Sequence, residues 1–390
     1  MLETHFVRSR ALRVLIPAVL LQIACLTGPA QAQTQPAQAQ PTQTSPANQD
    51  YTRREIQPNL DVDRDPVLSP DVADNGPVTA TTSQTATKQG NIYTLHENVD
   101  EVLLPCTVVD ENGRLVTDLT QRDFRVWEDN VPQTISSFEH RDVPISLGIL
   151  VDNSGSMRDK RDTVDAAALD LVRQSNPQDA AFVVNFNDKA YLDQGFTSNV
   201  SYLEKGLSHY DARGTTAIYD AVVAAADELS KHGRSKPVLL VITDGEDNAS
   251  RLTLAEAVRR VQHLNGPVVY TIGLLYDAES KQEADNARNA LQTLSNETGG
   301  VAYFPQSLRD VEGIATEVAQ VIRNQYTVGY HSTRSPSLGG YRRVHVVALG
   351  QKHANLTVRT KNGYYPQEIK KMHSTDAQTA QEIQQGTEHP

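Results

Sequence analysis

The stretch ISLGILVDNSGS, residues 145–156, decides how this sequence is read. Ile145–Val151 is apolar without a break, the pattern of a strand buried on both faces in a parallel sheet. It runs directly into Asp152-Asn153-Ser154-Gly155-Ser156, a small polar loop. The same rhythm recurs downstream. Val164, Ala167, Ala168, Leu171 and Val172 fall at helical spacing; Ala180–Asn185 is a strand, followed by a short extended stretch at Ala190–Phe196. Ile218, Ala221, Val222, Ala225 and Leu229 mark a helix face ahead of the apolar strand Val238–Thr243. Leu254, Ala257, Val258 and Val261 mark another, before the strand Val268–Leu274. A helix over 284–297, a strand at Val301–Phe304 and a helix through Val311, Ile314, Ala315, Val318 and Ile322 close the series. Apolar strands alternating with amphipathic helices predict a doubly wound α/β domain over 143–325, with a mostly parallel sheet of six strands.

The flanks have a different rhythm. Over 91–142, Val102, Leu104, Cys106 and Val108 alternate with Leu103, Thr107 and Val109. Asp110-Glu111-Asn112-Gly113 then supplies hairpin chemistry. Phe124, Val126 and Glu128 form a further alternating run, closed by Asp129-Asn130. This predicts a small accessory β-module. Strands return at 326–367, in Tyr326–His331, Tyr341–Leu349 and Leu356–Arg359. The pattern leaves open whether they extend the α/β sheet or pair with the upstream β-module.

At the N-terminus, Arg8, Arg10 and Arg13 precede the apolar stretch Val14–Leu26, and Ala30-Gln31-Ala32 follows. A positive segment, a short apolar segment and a small-x-small site read as a secretory signal peptide over 1–32. The run is interrupted by Pro17 and Gln22 and is too short for a membrane span. A second reading makes Cys25 a lipid-anchored cysteine, but Gln22 stands where a lipobox takes an apolar residue, so plain cleavage is expected. The protein is therefore expected outside the cytoplasm, secreted or periplasmic. Residues 33–90, rich in Gln, Pro, Ala and Thr at the start, read as a disordered linker, and 368–390 as a disordered tail. Asp61, Asp63 and Asp65 echo a calcium loop, but Pro66 stands where that turn needs Gly, so they read as solvated charge.

Composition narrows the function. The 390 residues carry a net charge of −12 without a Lys/Arg block, which argues against a nucleic-acid partner. Two cysteines, Cys25 and Cys106, exclude a disulfide scaffold and a Cys-rich zinc module. Cys106, in its alternating run, reads as a small buried hydrophobe. Mean hydropathy of −0.46 is low for a globular chain and fits polar flanks diluting an ordinary core.

The chemistry lies in three loops. With strand order 3-2-1-4-5-6, the first and fourth strands of the α/β domain are neighbours and the crevice opens at their carboxyl ends. Asp152-x-Ser154-x-Ser156 follows the first, Thr243-Asp244-Gly245-Glu246 follows the fourth, and Arg213-Gly214-Thr215-Thr216 leads into a helix between them. Asp152, Ser154, Ser156, Thr216 and Asp244 are all hard oxygen donors, a set suited to Mg²⁺ or Mn²⁺ with coordination left for waters or an incoming ligand. Gly155 and Gly245 are expected to let the backbone bend close to the ion.

These residues resemble the metal-ion-dependent adhesion site (MIDAS) of von Willebrand factor type A (VWA) domains. The stretch from about Val99 to Tyr365 resembles the bacterial VWFA-related domain family. Supporting matches are Asp123–Asp129, Gln133–Phe138, Tyr326-Thr327-Val328-Gly329-Tyr330, Tyr341-Arg342-Arg343 and Gly363-Tyr364-Tyr365. The resemblance implies that Ser154, Ser156 and Thr216 ligate the ion directly in some states, and that Asp152 and Asp244 ligate directly or through water. It also implies that an Asp or Glu of a protein partner completes the shell. The family's Gly-Gly-Thr reads Gly214-Thr215-Thr216 here; Thr216 aligns best, with Thr215 as the alternative.

The expected function is thus a secreted, metal-dependent protein-binding module and not an enzyme. A haloacid-dehalogenase-type phosphotransferase would need a second Asp where Ser154 stands. A serine hydrolase would need a G-x-S-x-G elbow with a positioned His, and Ser154 and Ser156 lack the elbow. The remaining rival is a structural envelope protein whose metal only staples the loops.

Overall fold

The computed structural model describes residues 87–89, 92–94 and 101–366, apart from 210, 233–235, 264–265, 279, 351 and 354. The signal peptide, Cys25, the Asp61–Asp65 motif, most of the linker and the tail expected from the sequence lie outside these residues. The linker's end differs from expectation: β1 (Thr87–Gln89) pairs antiparallel with β2 (Ile92–Thr94). The interval between them is Gly90-Asn91, a composition favoured in hairpins, and β-branched Ile92 and Thr94 with Tyr93 favour the extended chain.

Four further strands precede the α/β domain among the described residues: β3 (Glu101–Val109), β4 (Phe124–Glu128), β5 (Val131–Gln133) and β6 (Ile135–Glu139). Asp129 and Asn130, with φ of 47° and 67°, make the tight β4–β5 turn that Asp and Asn tolerate. The α/β domain then runs β7 (Ile145–Asp152), α1 (Arg161–Arg173), β8 (Ala180–Phe186), β9 (Ala190–Thr197), α2 (Val200–Leu207), α3 (Ile218–His232) and β10 (Lys236–Thr243). It continues with α4 (Leu254–Val261), β11 (Val268–Gly273), α5 (Lys281–Thr298), β12 (Ala302–Tyr303) and α6 (Val311–Arg323). Four short strands finish the described chain: β13 (Tyr326–His331), β14 (Arg342–Ala348), β15 (Thr357–Arg359) and β16 (Gly363–Tyr364).

The six-stranded sheet has the order β12-β11-β10-β7-β8-β9, parallel throughout except for the antiparallel edge strand β9. This is a mixed α/β, mostly parallel, Rossmann-like architecture, and β7 and β10 are neighbours as the expected order requires. Both faces are covered. Leu147, Ile149 and Val151 of β7 pack with α1, α2 and α6, whereas Leu150 faces the α3–α4–α5 side. Gly148 on that side admits the Phe182 ring: a Cβ there would sit 2.6 Å from its Cζ. Helix α2 was not expected from the sequence. Asn199 caps it by accepting from the Ser201 amide at 2.9 Å, and its Leu203 and Leu207 are buried one turn apart.

The C-terminal strands do not extend the parallel sheet. β13 pairs with β3 and β6, and β15 with β3, giving the sheet order β15-β3-β13-β6; β14 pairs with β4 and β16 in the sheet β16-β14-β4-β5. Two four-stranded sheets drawn from both flanks thus share one core, in which Leu104, Cys106, Phe124, Val126, Tyr326 and Val346 are buried. The α/β domain leaves this β-module after β6 and returns at β13. Gln325 joins the two, donating to Tyr270 Oη at 2.8 Å in the α/β core and to Thr107 Oγ1 at 3.2 Å in β3. No helix among the described residues is long and apolar enough to cross a membrane.

Candidate metal centre at the carboxyl edge of the sheet

The register of β7 on β10 sets Val151 beside Ile242, so Asp152 and Thr243 emerge together at the carboxyl edge. Here the chain leaves β7 towards one sheet face and β10 towards the other, which opens the crevice between them. Asp152 is fully buried. Its Oδ2 accepts from Thr243 Oγ1 at 2.6 Å and its Oδ1 from the Ser154 amide at 2.8 Å. Burial pushes the Asp152 carboxyl up to about 6; the bonds from Thr243 and Ser154 work against that shift, and the Asp244 charge adds to it.

From Ser154 a chain of oxygens crosses the crevice. Ser154 Oγ lies 3.2 Å from Ser156 Oγ, and Ser156 Oγ donates to Asp244 Oδ1 at 2.8 Å. Ser154 and Asp244 are buried while Ser156 is exposed, so the chain opens to solvent at its middle. The third loop is fastened against the first. Asn153 accepts from the Arg213 amide at 3.0 Å through its carbonyl and from the Ala212 amide at 3.0 Å through its side chain. Thr216 is 5% exposed and Thr215 is exposed. The hydrogen bonds of Thr216 run through its backbone: its amide donates to Asn248 Oδ1 at 2.9 Å, and its carbonyl accepts from the Asn248 and Ala249 amides at 3.0 and 3.2 Å. Asp152, Ser154, Ser156 and Asp244 are therefore joined side chain to side chain or through an adjacent residue, whereas Thr216 is brought to the same edge by its loop.

A Cβ on Gly155 would approach nothing nearer than Ala212 O at 4.0 Å, and one on Gly245 nothing within 4 Å. Neither has positive φ, so neither is sterically required. Gly214, with φ +82°, is the glycine the site needs, because it turns the Thr216 loop over the edge.

Lys160 is the residue that sequence reasoning missed. At the N-terminal boundary of α1, it donates to Asp244 Oδ2 at 2.6 Å and to Asp277 Oδ1 at 3.0 Å, with its side chain 9% exposed. Burial disfavours its charge, but the hydrogen bonds and charges of Asp244 and Asp277 prevail and hold its pKa above the ordinary value. Next to it, buried Arg161 donates to the Asp152 carbonyl at 3.2 Å and to the Leu207 carbonyl at 2.7 Å. Two cations at a helix N-terminus oppose the helix dipole, which was the available sign that carboxylates nearby must hold them.

Among the described residues no three His, Cys, Asp or Glu side chains form a metal-binding group, so an ion at this edge would depend on hydroxyls. The donors present fit that case. Hydroxyls and two carboxylates, without thiol or imidazole, suit a hard octahedral ion. The Lys160 ammonium is shared between Asp244 and Asp277, while the Asp152 carboxylate is held by Thr243 and the Ser154 amide without a cation on its oxygens, which leaves negative charge that a divalent cation would offset.

Residues 147–246 match the family described as von Willebrand factor type A domain, a narrower span than the resemblance from Val99 to Tyr365. No curated protein matches the chain. Among solved structures, it is similar to a von Willebrand factor type A protein from Catenulispora acidiphila at 13% identity, over 68% of this chain and 75% of that one, with a TM-score of 0.40. It is similar to the vWF domain of the type V pili tip protein Mfa5 from Porphyromonas gingivalis at 11% identity, over 46% and 95%, with a TM-score of 0.39. Proximal thread matrix protein 1 from the mussel byssus, whose MIDAS motif holds zinc, is similar at 17% identity over 51% and 50%, with a TM-score of 0.41.

Proposed function

We propose that this protein is an extracytoplasmic, non-enzymatic protein-binding module. It would hold Mg²⁺ or Mn²⁺ at the carboxyl edge of its parallel sheet through Asp152, Ser154, Ser156, Thr216 and Asp244, and an Asp or Glu of a protein partner would complete the shell. The observation that carries this reading is the oxygen chain Ser154–Ser156–Asp244, which is anchored at both buried ends and open at exposed Ser156. Asp152 and Asp244 offset the ion's formal charge, and Lys160 withdraws part of Asp244 from it. The ion then stays electrophilic enough to attract an anionic ligand. Placement outside the cytoplasm rests on the N-terminal sequence pattern.

The staple reading is the less favoured one, because the loops are already fastened by the protein. Asn153 ties the first to the third, Asn248 ties the third to the residues after Asp244, and the Leu274 amide donates to the Thr243 carbonyl at 2.9 Å. Nor does the site resemble an activated nucleophile. The Ser156 proton points to a carboxylate that Lys160 already engages, which makes a weak base.

The test is Mn²⁺-enhanced water-proton relaxation on the full chain, titrated with acetate and then with a short Asp-containing peptide. Binding of Mn²⁺ should raise the relaxation rate, and carboxylate should lower it by displacing water from the ion. An enhancement that carboxylate leaves unchanged would reduce the ion to a structural role, and no enhancement would remove the metal reading.

A further inference from the structure

We propose that Lys160 is a resident counter-cation of this site that sets its ion affinity, and that Asp277 is where the ammonium is held when a divalent ion engages Asp244. The inference rests on the metal reading above and deepens it. In the structure one ammonium bridges two carboxylates of unlike surroundings. Asp244, with its side chain 1% exposed, lies on the oxygen chain of the site; Asp277, 47% exposed, lies on the loop after β11. The Asp244 carboxylate is shared between Ser156 on Oδ1 and Lys160 on Oδ2. A divalent ion drawing on Asp244 therefore meets a positive charge already hydrogen-bonded to its far oxygen, and like charges at that separation repel strongly in a poorly solvated crevice.

The Lys160 side chain has a second place to go. It already reaches Asp277 at 3.0 Å and lies 5.9 Å from the Tyr276 ring centroid on the same loop, a distance suited to cation–π contact. Tightening that contact as Asp244 is surrendered moves the ammonium away from the ion without expelling it to water. The 275–277 turn then becomes the part of the surface that senses occupancy. Tyr276, 39% exposed, is the large side chain through which a partner would read it.

The test is Mn²⁺ affinity, read as free Mn²⁺ by electron paramagnetic resonance, on the full chain and on Lys160→Met, Asp277→Asn and the double variant, with far-UV circular dichroism to check folding. Lys160→Met should bind Mn²⁺ about tenfold more tightly or better. Asp277→Asn, an exposed and readily tolerated change, should bind a few-fold more weakly because Lys160 then rests on Asp244 alone. In the double variant the Asp277 effect should vanish. Equal or weaker binding by folded Lys160→Met overturns the proposal. So does an Asp277→Asn loss that persists without Lys160, which would make Asp277 a plain electrostatic attractor. If Lys160→Met does not fold, Asp277→Asn alone decides, and affinity equal to the parent overturns the proposal. Failure of parent and variants alike to bind Mn²⁺ overturns the metal reading itself, a result distinct from the others.

Discussion

Two buried carboxylate clusters, one in the β-module and one at the edge of the α/β sheet, use similar groups to opposite ends. Glu128 in β4 is 2% exposed, and its oxygens are taken by Tyr330 Oη at 2.7 Å, Tyr364 Oη at 2.8 Å and Ser332 Oγ at 2.6 Å. The Arg342 guanidinium stands 3.5 Å away and is itself held by the Arg334 and Ser335 carbonyls at 2.9 and 2.7 Å. Burial first, then the bond to Glu128, push the Tyr364 hydroxyl up to about 12, so it stays a donor at any physiological pH. That cluster is closed. At the sheet edge the equivalent chain runs through Ser156, which faces solvent, and the counter-cation Lys160 has a second carboxylate available. A satisfied buried charge stabilises one arrangement, whereas a charge satisfied by a movable group and an exposed hydroxyl can accept a ligand.

The largest expected effect sharpens that contrast. Glu128→Ala leaves Arg342 buried without its charge partner and should cost about 3–5 kcal/mol in urea unfolding. Ser156→Ala, at an exposed position, should cost less than about 1 kcal/mol yet lose ion binding. A large stability loss on Ser156→Ala would break the distinction between the clusters.

Next in size is the ion itself. At one hundred times its dissociation constant, Mg²⁺ should stabilise the folded protein by about 2.7 kcal/mol, reversed by chelator, with the gain absent from Ser156→Ala and Asp152→Ala. Equal stabilisation of all three proteins would place the ion elsewhere.

The smallest effect concerns Asp165 of α1, which pairs with buried Arg161 at 3.2 Å. Burial, only partly opposed by Arg161, raises its carboxyl to about 6. A raised carboxyl takes up its proton in the folded state first, so this group stabilises at low pH and the contribution is lost as pH rises through about 6. Lowering the pH from 7.5 to 5 should therefore favour the parent over Asp165→Asn by about 1 kcal/mol in paired thermal melts. A pH-independent difference would contradict the burial of that carboxylate.

The open cluster was more legible in the sequence than the closed one. Apolar strands followed directly by Asp152-x-Ser154-x-Ser156 and Thr243-Asp244 show where a parallel sheet ends, whereas the order of the strands was taken from the common doubly wound arrangement, which the sheet has. Glu128 carried no such sign: on an alternating strand it reads as one more residue, and its partners Tyr330, Ser332 and Tyr364 lie more than two hundred positions away. Distance in sequence also hid the pairing of β13 with β3 and the meeting of Lys160 with Asp277. Helix α2 is a different case, since the Asn199 cap and the Leu203–Leu207 spacing were present and local, but the run is only eight residues long.

The central claim is that the open cluster is an ion site. Its most direct test is the anomalous difference map of a crystal of this protein soaked in Mn²⁺ and measured on the manganese edge. The account predicts a single strong peak within coordination distance of Ser154 and Ser156, with Asp152 and Asp244 bound directly or through water. A peak elsewhere on the molecule, or none with that edge open to solvent, would contradict it.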